Sequence, residues 1–392
     1  MTVTQQPPQR ATGRRTRRVL VALLALLLVL VLAFLGASWY VSGVLIDEMT
    51  IKDYTEELPD TVVTADEQSI ALEMETPPEE DARNDSIAGV RLPEEDYLQV
   101  GEVEVTDGAV ATRGVSEVLG QLPASGSEAV LENTYYPSDP RRGLGLDFTE
   151  VDIDTPLGPS PAWFVPGESD TWAIYSHGRG ATREEGLRML QTAHEVGLPT
   201  LLITFRDDLE GQPEDGISNF GMTEWPDLEA AVRYALDNGA QNVVLLAAST
   251  GGAISMAFLE NSDLADSVVS MAFDAPLTSF GQTVDLGAAE RGYPALLVKA
   301  GKWIGEQRVN IDFAETDYVS RVDDLDVPTL IVHSTEDTTN PIEASEEFVE
   351  NAPDGVVRLE VFEGAEHVWA WNTDPERFAQ VLGEHLRDIT SG

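Results

Sequence analysis

From about Thr171 to Thr390, short apolar runs alternate with amphipathic stretches. This predicts an α/β fold with a mostly parallel sheet covered by helices on both faces. Three observations carry the prediction. The apolar runs are continuous rather than alternating, as strands buried on both faces require. They recur at Thr171–Ser176, Thr200–Phe205, Asn242–Ala248, Ser267–Phe273, Thr329–His333 and Val357–Phe362. Helix-patterned segments separate them, among them Glu184–Val196, Gly251–Glu260, Glu224–Asn238, Pro341–Asn351 and Pro375–Ile389.

The third of these strands runs straight into Ala247-Ala248-Ser249-Thr250-Gly251-Gly252. A serine turned sharply between a strand and a helix exposes its hydroxyl above the end of the sheet, and residues two before and two after it must be small. Ala247 and Gly251 hold those places; Gly is usual at the first, so Ala247 is a mild departure. Thr250 N–H, at the helix start, is aimed at developing negative charge. The first strand ends in His177-Gly178-Arg179-Gly180, where the glycines let backbone approach a reacting carbonyl and Arg179 N–H supplies a second donor. A dinucleotide loop is the competing reading, but Arg183 stands where G-x-G-x-x-G needs its third glycine.

A serine nucleophile needs a base, and the base needs an orienting acid. There are five histidines. His177 belongs to the loop, His194 and His385 fall in helices, and His333 lies on a strand as a packing residue. His367 sits in the loop Glu363-Gly364-Ala365-Glu366-His367 just beyond a strand, free to swing onto Ser249. Asp337, at the end of the Thr329 strand, is the first choice of acid; Asp274, ending an earlier strand, is the alternative, and Glu336 is a solvated neighbour.

In this order and spacing, the His177–Gly180 loop, the Ser249 turn, Asp337 and His367 resemble the α/β-hydrolase superfamily over about Val151 to Thr390. The closest likeness is to its serine-aminopeptidase-like and lysophospholipase-like branch and to membrane-anchored actinobacterial hydrolases. The stretch Phe220-Gly221-Met222-Thr223-Glu224-Trp225-Pro226-Asp227 shares that likeness. The resemblance implies ester, thioester or amide hydrolysis through an acyl-enzyme, without naming a substrate. Ester cleavage is the first expectation and peptide cleavage the second; a catalytically silent binding module at the cell envelope is the alternative from another class. Residues 284–319 interrupt the alternation and read either as a short cap over the site or as an ordinary surface helix pair. Trp369 and Trp371 either line a pocket or pack beneath that cap.

The N-terminus predicts a membrane segment. Arg14-Arg15-Thr16-Arg17-Arg18 closes a basic tail (1–18), and no charge follows until Asp47. Residues 19–46 would form roughly 40 Å of helix, enough to span a bilayer with tilt. Trp39 and Tyr40 suit the far interface, and the flanking arginines put the N-terminus in the cytoplasm and the bulk outside. A cleaved signal peptide with secretion of the remainder is the alternative. Residues 47–88 read as an acidic stem, 89–150 as a β-rich extension adding antiparallel edge structure to the main sheet, and 151–392 as the hydrolase domain.

With 24 Lys+Arg against 69 Asp+Glu, the chain is a poor partner for nucleic acid and for anionic lipid surfaces. No metal-ligand cluster and no cofactor motif is legible. The absence of cysteine excludes a thiol nucleophile and disulfides. The expected partners are a small-molecule ester or peptide substrate and the membrane.

Overall fold

The computed structural model describes residues 12–51, 58–75, 82–93, 96–136, 138–207, 209–309 and 311–390. The first eleven residues of the basic tail therefore lie outside the described residues. The chain divides into two compact units, Met1–Glu48 with Ala288–Ile311, and Met49–Gly287 with Asp312–Gly392.

The larger unit holds two sheets. The first is a closed barrel of β1 (Asp60–Ala65), β2 (Ser69–Glu73), β3 (Ala88–Arg91), β4 (Tyr97–Asp107), β5 (Val110–Leu119) and β6 (Glu128–Glu132), in the order β1-β2-β5-β4-β3-β6. Val62, Ile70, Leu72, Val90, Leu98 and Leu131 fill it. The acidic stem expected over 47–88 is thus replaced in part by two barrel strands, and the strands expected at the edge of the main sheet close on one another instead. Closure pairs every strand edge, and acid-rich outward faces keep the exterior wet. Inside, Arg113 is 1% exposed and donates to the carbonyls of Ser86, Gly101 and Arg83 at 2.7–2.8 Å.

After the short α2 (Pro140–Leu144), the hairpin β7 (Thr149–Thr155) and β8 (Gly158–Val165) opens an eight-stranded sheet. It continues through β9 (Thr171–Ser176), α3 (Leu187–Glu195), β10 (Thr200–Ile203), α4 (Trp225–Asp237), β11 (Asn242–Ala248), α5 (Thr250–Asn261) and β12 (Val268–Asp274). Helix α6 (Phe280–Glu290) and helix α7 (Ala295–Arg308) occupy the stretch read as a cap or a surface helix pair, before β13 (Thr329–Ser334), α8 (Ile342–Asn351), β14 (Val357–Phe362), α9 (Ala370–Thr373) and α10 (Pro375–Thr390). The order is β14-β13-β12-β11-β9-β10-β8-β7; β9 to β14 are parallel, and β8 pairs antiparallel to β10. Apolar residues of α3 and α10 join Tyr175, Leu246, Ala272 and Leu330 in one core, while α4 and α5 pack together and against β9 and β11. β9 to β13 are buried on both faces, which accounts for their unbroken apolar runs, whereas the edge strand β14, with Arg358 exposed, and the β7–β8 hairpin are only partly covered.

The order reverses at β9: the chain leaves it for β10 on one side and returns to β11 on the other. Such a switch point opens a crevice at the carboxyl ends of the two strands. Both loops singled out in the sequence start there.

The smaller unit contains α1 (Thr12–Met49) up to Glu48, a helix long and apolar enough to cross a membrane, together with α7.

Candidate active site

Ser249 occupies the turn between β11 and α5 with φ 48° and ψ −116°. A non-glycine residue adopts positive φ at a cost, held here by its surroundings. Its N–H donates to Asp274 O at 3.0 Å, and its carbonyl accepts from Gly252 and Leu277 N–H. A Cβ on Gly251 would meet the carbonyl oxygen of Ser176 at 2.2 Å, so the position admits only glycine. The same added atom would lie 3.1 Å from Cβ of Ala247, so alanine fits at 247 while its neighbour is glycine.

The imidazole of His367 lies against the serine, with Nε2 2.9 Å from Ser249 Oγ. Its Nδ1 is 2.7 Å from Oδ2 of Asp337. Asp337 follows β13, and its Oδ1 accepts from the N–H groups of Thr339 and Asn340 at 2.8 Å each. His333 is also buried here: Nε2 is 3.1 Å from Asp337 Oδ2, and Nδ1 is 2.7 Å from Ser345 Oγ. His333 is thus more than the packing residue the sequence suggests, since it also bonds the Asp337 carboxylate.

Burial works against both charges in the pair. Beside the carboxylate of Asp337, the His367 imidazolium is nevertheless favoured, and its pKa rises above the ordinary histidine value. The Asp337 carboxyl, facing His367 and hydrogen-bonded by both histidines, is held well below the usual carboxylate range. Asp274, the alternative acid, makes no bond to His367. Its Oδ1 is buried with no hydrogen-bond partner among the described residues, and burial pushes its carboxyl up to about 6.

The loop after β9 reaches the same point. A Cβ on Gly178 would come within 3.3 Å of Ser249 Cβ, so the loop backbone passes directly over the Ser249 turn. Gly178 N–H donates to Oε2 of the buried Glu185 at 2.8 Å, and Tyr175 donates to the same oxygen at 2.9 Å. His177 stacks on Phe205 with ring centroids 4.4 Å apart, and Gly180 turns the chain at φ 72°. Thr250 opens α5, so its N–H has no intrahelical acceptor. Together these put the Ser249 turn, the Arg179 loop, Asp337 and His367 at one end of the parallel sheet. In the nearby stretch 220–227, Glu224 accepts from Asn219, Gly221 and Thr223 N–H, and Asp227 pairs with Arg206 at 2.8 Å; both acids serve loop structure.

The loop that carries His367 is gripped from the barrel side. Ala365 and Trp369, on either side of the histidine, belong to the barrel's apolar core. Val368 sits at φ 60°, an expensive conformation for a β-branched residue. Its carbonyl accepts from Arg188 Nη1 at 2.7 Å and from Asn133 Nδ2 at 3.3 Å. Asn372 ties the following turn to the carbonyls of Ile87 and Asn133 at 3.0 Å each. Trp371 packs against Tyr135 and Tyr136 with centroids 5.6 and 5.7 Å away, so both tryptophans are packing residues. Arg188, Asn133, Glu185 and Asn372 escaped the sequence reading. The one available signal was an arginine inside the apolar run Leu187-Arg188-Met189-Leu190. Among the described residues, no group of three or more His, Cys, Asp or Glu could hold a metal ion.

No protein-family model matches the chain. No curated protein matches it either. Solved structures do. The esterase Pf2001 of Pyrococcus furiosus aligns with a TM-score of 0.52 at 20% identity, over 64% of this chain and 96% of that one. An α/β serine hydrolase homologue from Coxiella burnetii aligns with a TM-score of 0.45 at 20% identity, over 61% of this chain and 97% of that one. The likeness to Pf2001, with the strand order above, gives this chain the α/β-hydrolase fold.

Proposed function

We propose that this protein is a membrane-anchored serine hydrolase that cleaves a carboxylic ester. The carrying observation is the Ser249–His367–Asp337 chain of contacts, 2.9 and 2.7 Å long, beginning at a strand–helix turn of positive φ. Ser249 Oγ attacks the substrate carbonyl while His367 Nε2 takes its proton. Asp337 holds the other ring nitrogen protonated and stabilises the imidazolium. The N–H groups of Thr250 and Arg179 stabilise the oxyanion, each contributing about 2.7–4 kcal/mol. The imidazolium then protonates the departing alkoxide, leaving an acyl-Ser249. Water, deprotonated by His367, attacks that acyl group and releases the carboxylic acid.

The anchor reading rests on α1. Its apolar stretch has a mean hydropathy of 3.3 and is unburied by the rest of the chain. Arginines precede it and Trp39 and Tyr40 end it, which supports a cytoplasmic N-terminus and a hydrolase outside. The test is labelling with a fluorophosphonate, followed by short p-nitrophenyl esters and a peptide panel. Labelling of the native chain and none of Ser249→Ala supports the proposal. An unlabelled native chain leaves a binding module, and turnover of peptides over esters leaves a peptidase.

A further inference from the structure

Within the smaller unit, α7 packs on the far end of α1. Its inward stripe is Val298, Gly301 and Gly305, all buried. A Cβ on Gly301 would lie 2.7 Å from Val41 Cγ1, and one on Gly305 would lie 2.9 Å from Leu45 Cδ2. The facing stripe on α1 is Ser38, Val41, Ser42 and Leu45, each no more than 7% exposed. This is a small-xxx-small contact of the kind that lets membrane helices approach closely. Polar groups lock it: Arg308 donates to Ser42 Oγ at 2.7 Å and lies 4.3 Å over the Trp39 ring, and Arg291 pairs with Glu48 at 2.8 Å.

The other face of α7 is apolar and basic. Leu296 is 69% and Trp303 62% exposed, with exposed Lys299 between them at i+3. Residues 291–308 carry Arg291, Lys299, Lys302 and Arg308 against the single acid Glu306, and they contain two of the chain's three lysines. In a protein of formal net charge −45 this is a local reversal of sign. Depth agrees with it. Counting from Val19, about 20 helical residues cross the hydrocarbon, which brings the outer boundary to Trp39 and Tyr40. Those are the residues beside the α7 contact, and both are exposed.

We propose that α7 lies in the headgroup layer of the outer leaflet, clamped to the span by Gly301 and Gly305. There Leu296 and Trp303 enter the acyl boundary, and Lys299 and Lys302 meet lipid phosphates. Interfacial helices combine a bulky apolar face with lysine in this way, and tryptophan favours that depth. The protein is thereby attached to the membrane through two elements. The inference rests on the reading of α1 as an anchor.

The full chain reconstituted in phosphatidylcholine/phosphatidylglycerol vesicles tests it. Because the sequence lacks cysteine, Trp303→Cys, and separately Leu296→Cys, take an environment-sensitive fluorophore at one site. Asp354→Cys, exposed on the larger unit, is the reference. Labels at 303 and 296 should shift to the blue and be quenched by lipids bearing a nitroxide near the headgroup; the label at 354 should do neither. Lys299→Glu with Lys302→Glu should reduce both effects, and so should omitting the anionic lipid. If labels at 303 and 296 behave like 354 while the protein still resists carbonate extraction, the α7 proposal fails and the anchor stands. Release by carbonate overturns the anchor and the proposal with it. Disulfide-linked dimers through unlabelled Trp303→Cys, with no nitroxide quenching, would mean that a second copy covers this face, and would overturn the proposal.

Discussion

Arg188 donates to the carbonyl of Val368 at 2.7 Å, and Val368 is the residue directly after His367. A buried guanidinium on one element thus sets the backbone of the loop that carries His367 on another. Arg188 also lies 3.6 Å from the carboxylate of Glu185, which accepts from Gly178 N–H. Arg188→Lys keeps the charge but loses the planar fork. It should lower kcat by about 10- to 100-fold, the cost of a small misplacement of a reacting group. KM for a small ester should change little. Steady-state kinetics of the folded variant checks this, and an equal loss in KM alone would show that the contact serves binding.

Ser249→Ala should reduce kcat by about 10⁶, if the triad members act as one unit. His367→Ala should match it, and the double variant should be no worse than either single one. Additive losses would mean that the two side chains contribute independently. Burst kinetics with p-nitrophenyl acetate would show the acyl-enzyme directly.

The pH profile follows from His367. As the proposed general base it works only when neutral, so activity should rise with pH. Its pKa is raised above the ordinary ~6.5, so the midpoint for kcat/KM should fall above that value. Asp337→Asn removes the charge that raises it; the midpoint should move down, and kcat should drop by about 10⁴. A profile flat from pH 5 to 9 in the native chain would contradict this assignment.

Gly251 and Ala247 should behave oppositely. Gly251→Ala drives a methyl into the Ser176 carbonyl and should abolish both labelling and stable folding. Ala247→Gly adds only backbone freedom to a strand end and should cost about 0.5–1 kcal/mol. Thermal unfolding with fluorophosphonate labelling separates the two outcomes.

What the sequence disclosed was whatever depended on local pattern. β9, β11 and β13 are six- or seven-residue apolar runs buried on both faces, and each is followed by a candidate site residue at its carboxyl end. The triad candidates could therefore be placed without knowing how the strands pair. The barrel stayed hidden because its closure is non-local: Asp60 pairs with Ala129, and Gly89 with Glu132. Its strands also carry charge on the outward face, as in β4, where only the first four residues are buried. That acidity masked the period-two signal and read as a stem. The grip of Arg188 and Asn133 on Val368 was equally illegible, since it joins residues 180 and 235 positions apart.

Trp369→Ala should destabilise the protein by about 3–5 kcal/mol, as large-to-small changes in a packed core do. It should also release the His367 loop. Activity should therefore fall at temperatures where circular dichroism still reports a folded main sheet, and coincident loss of the two signals would argue against a specific link.

Ala365 and Trp369 make the barrel a structural wall of the His367 loop, and this bears on how far the chain can be trimmed. A fragment trimmed to 151–392 would retain serine, aspartate and histidine in its sequence yet lose the apolar socket that seats two residues beside the imidazole. If the proposed triad is right, an active fragment should need the barrel from Asp60 onward, and a change that empties the barrel core should be felt at the imidazole it helps to seat.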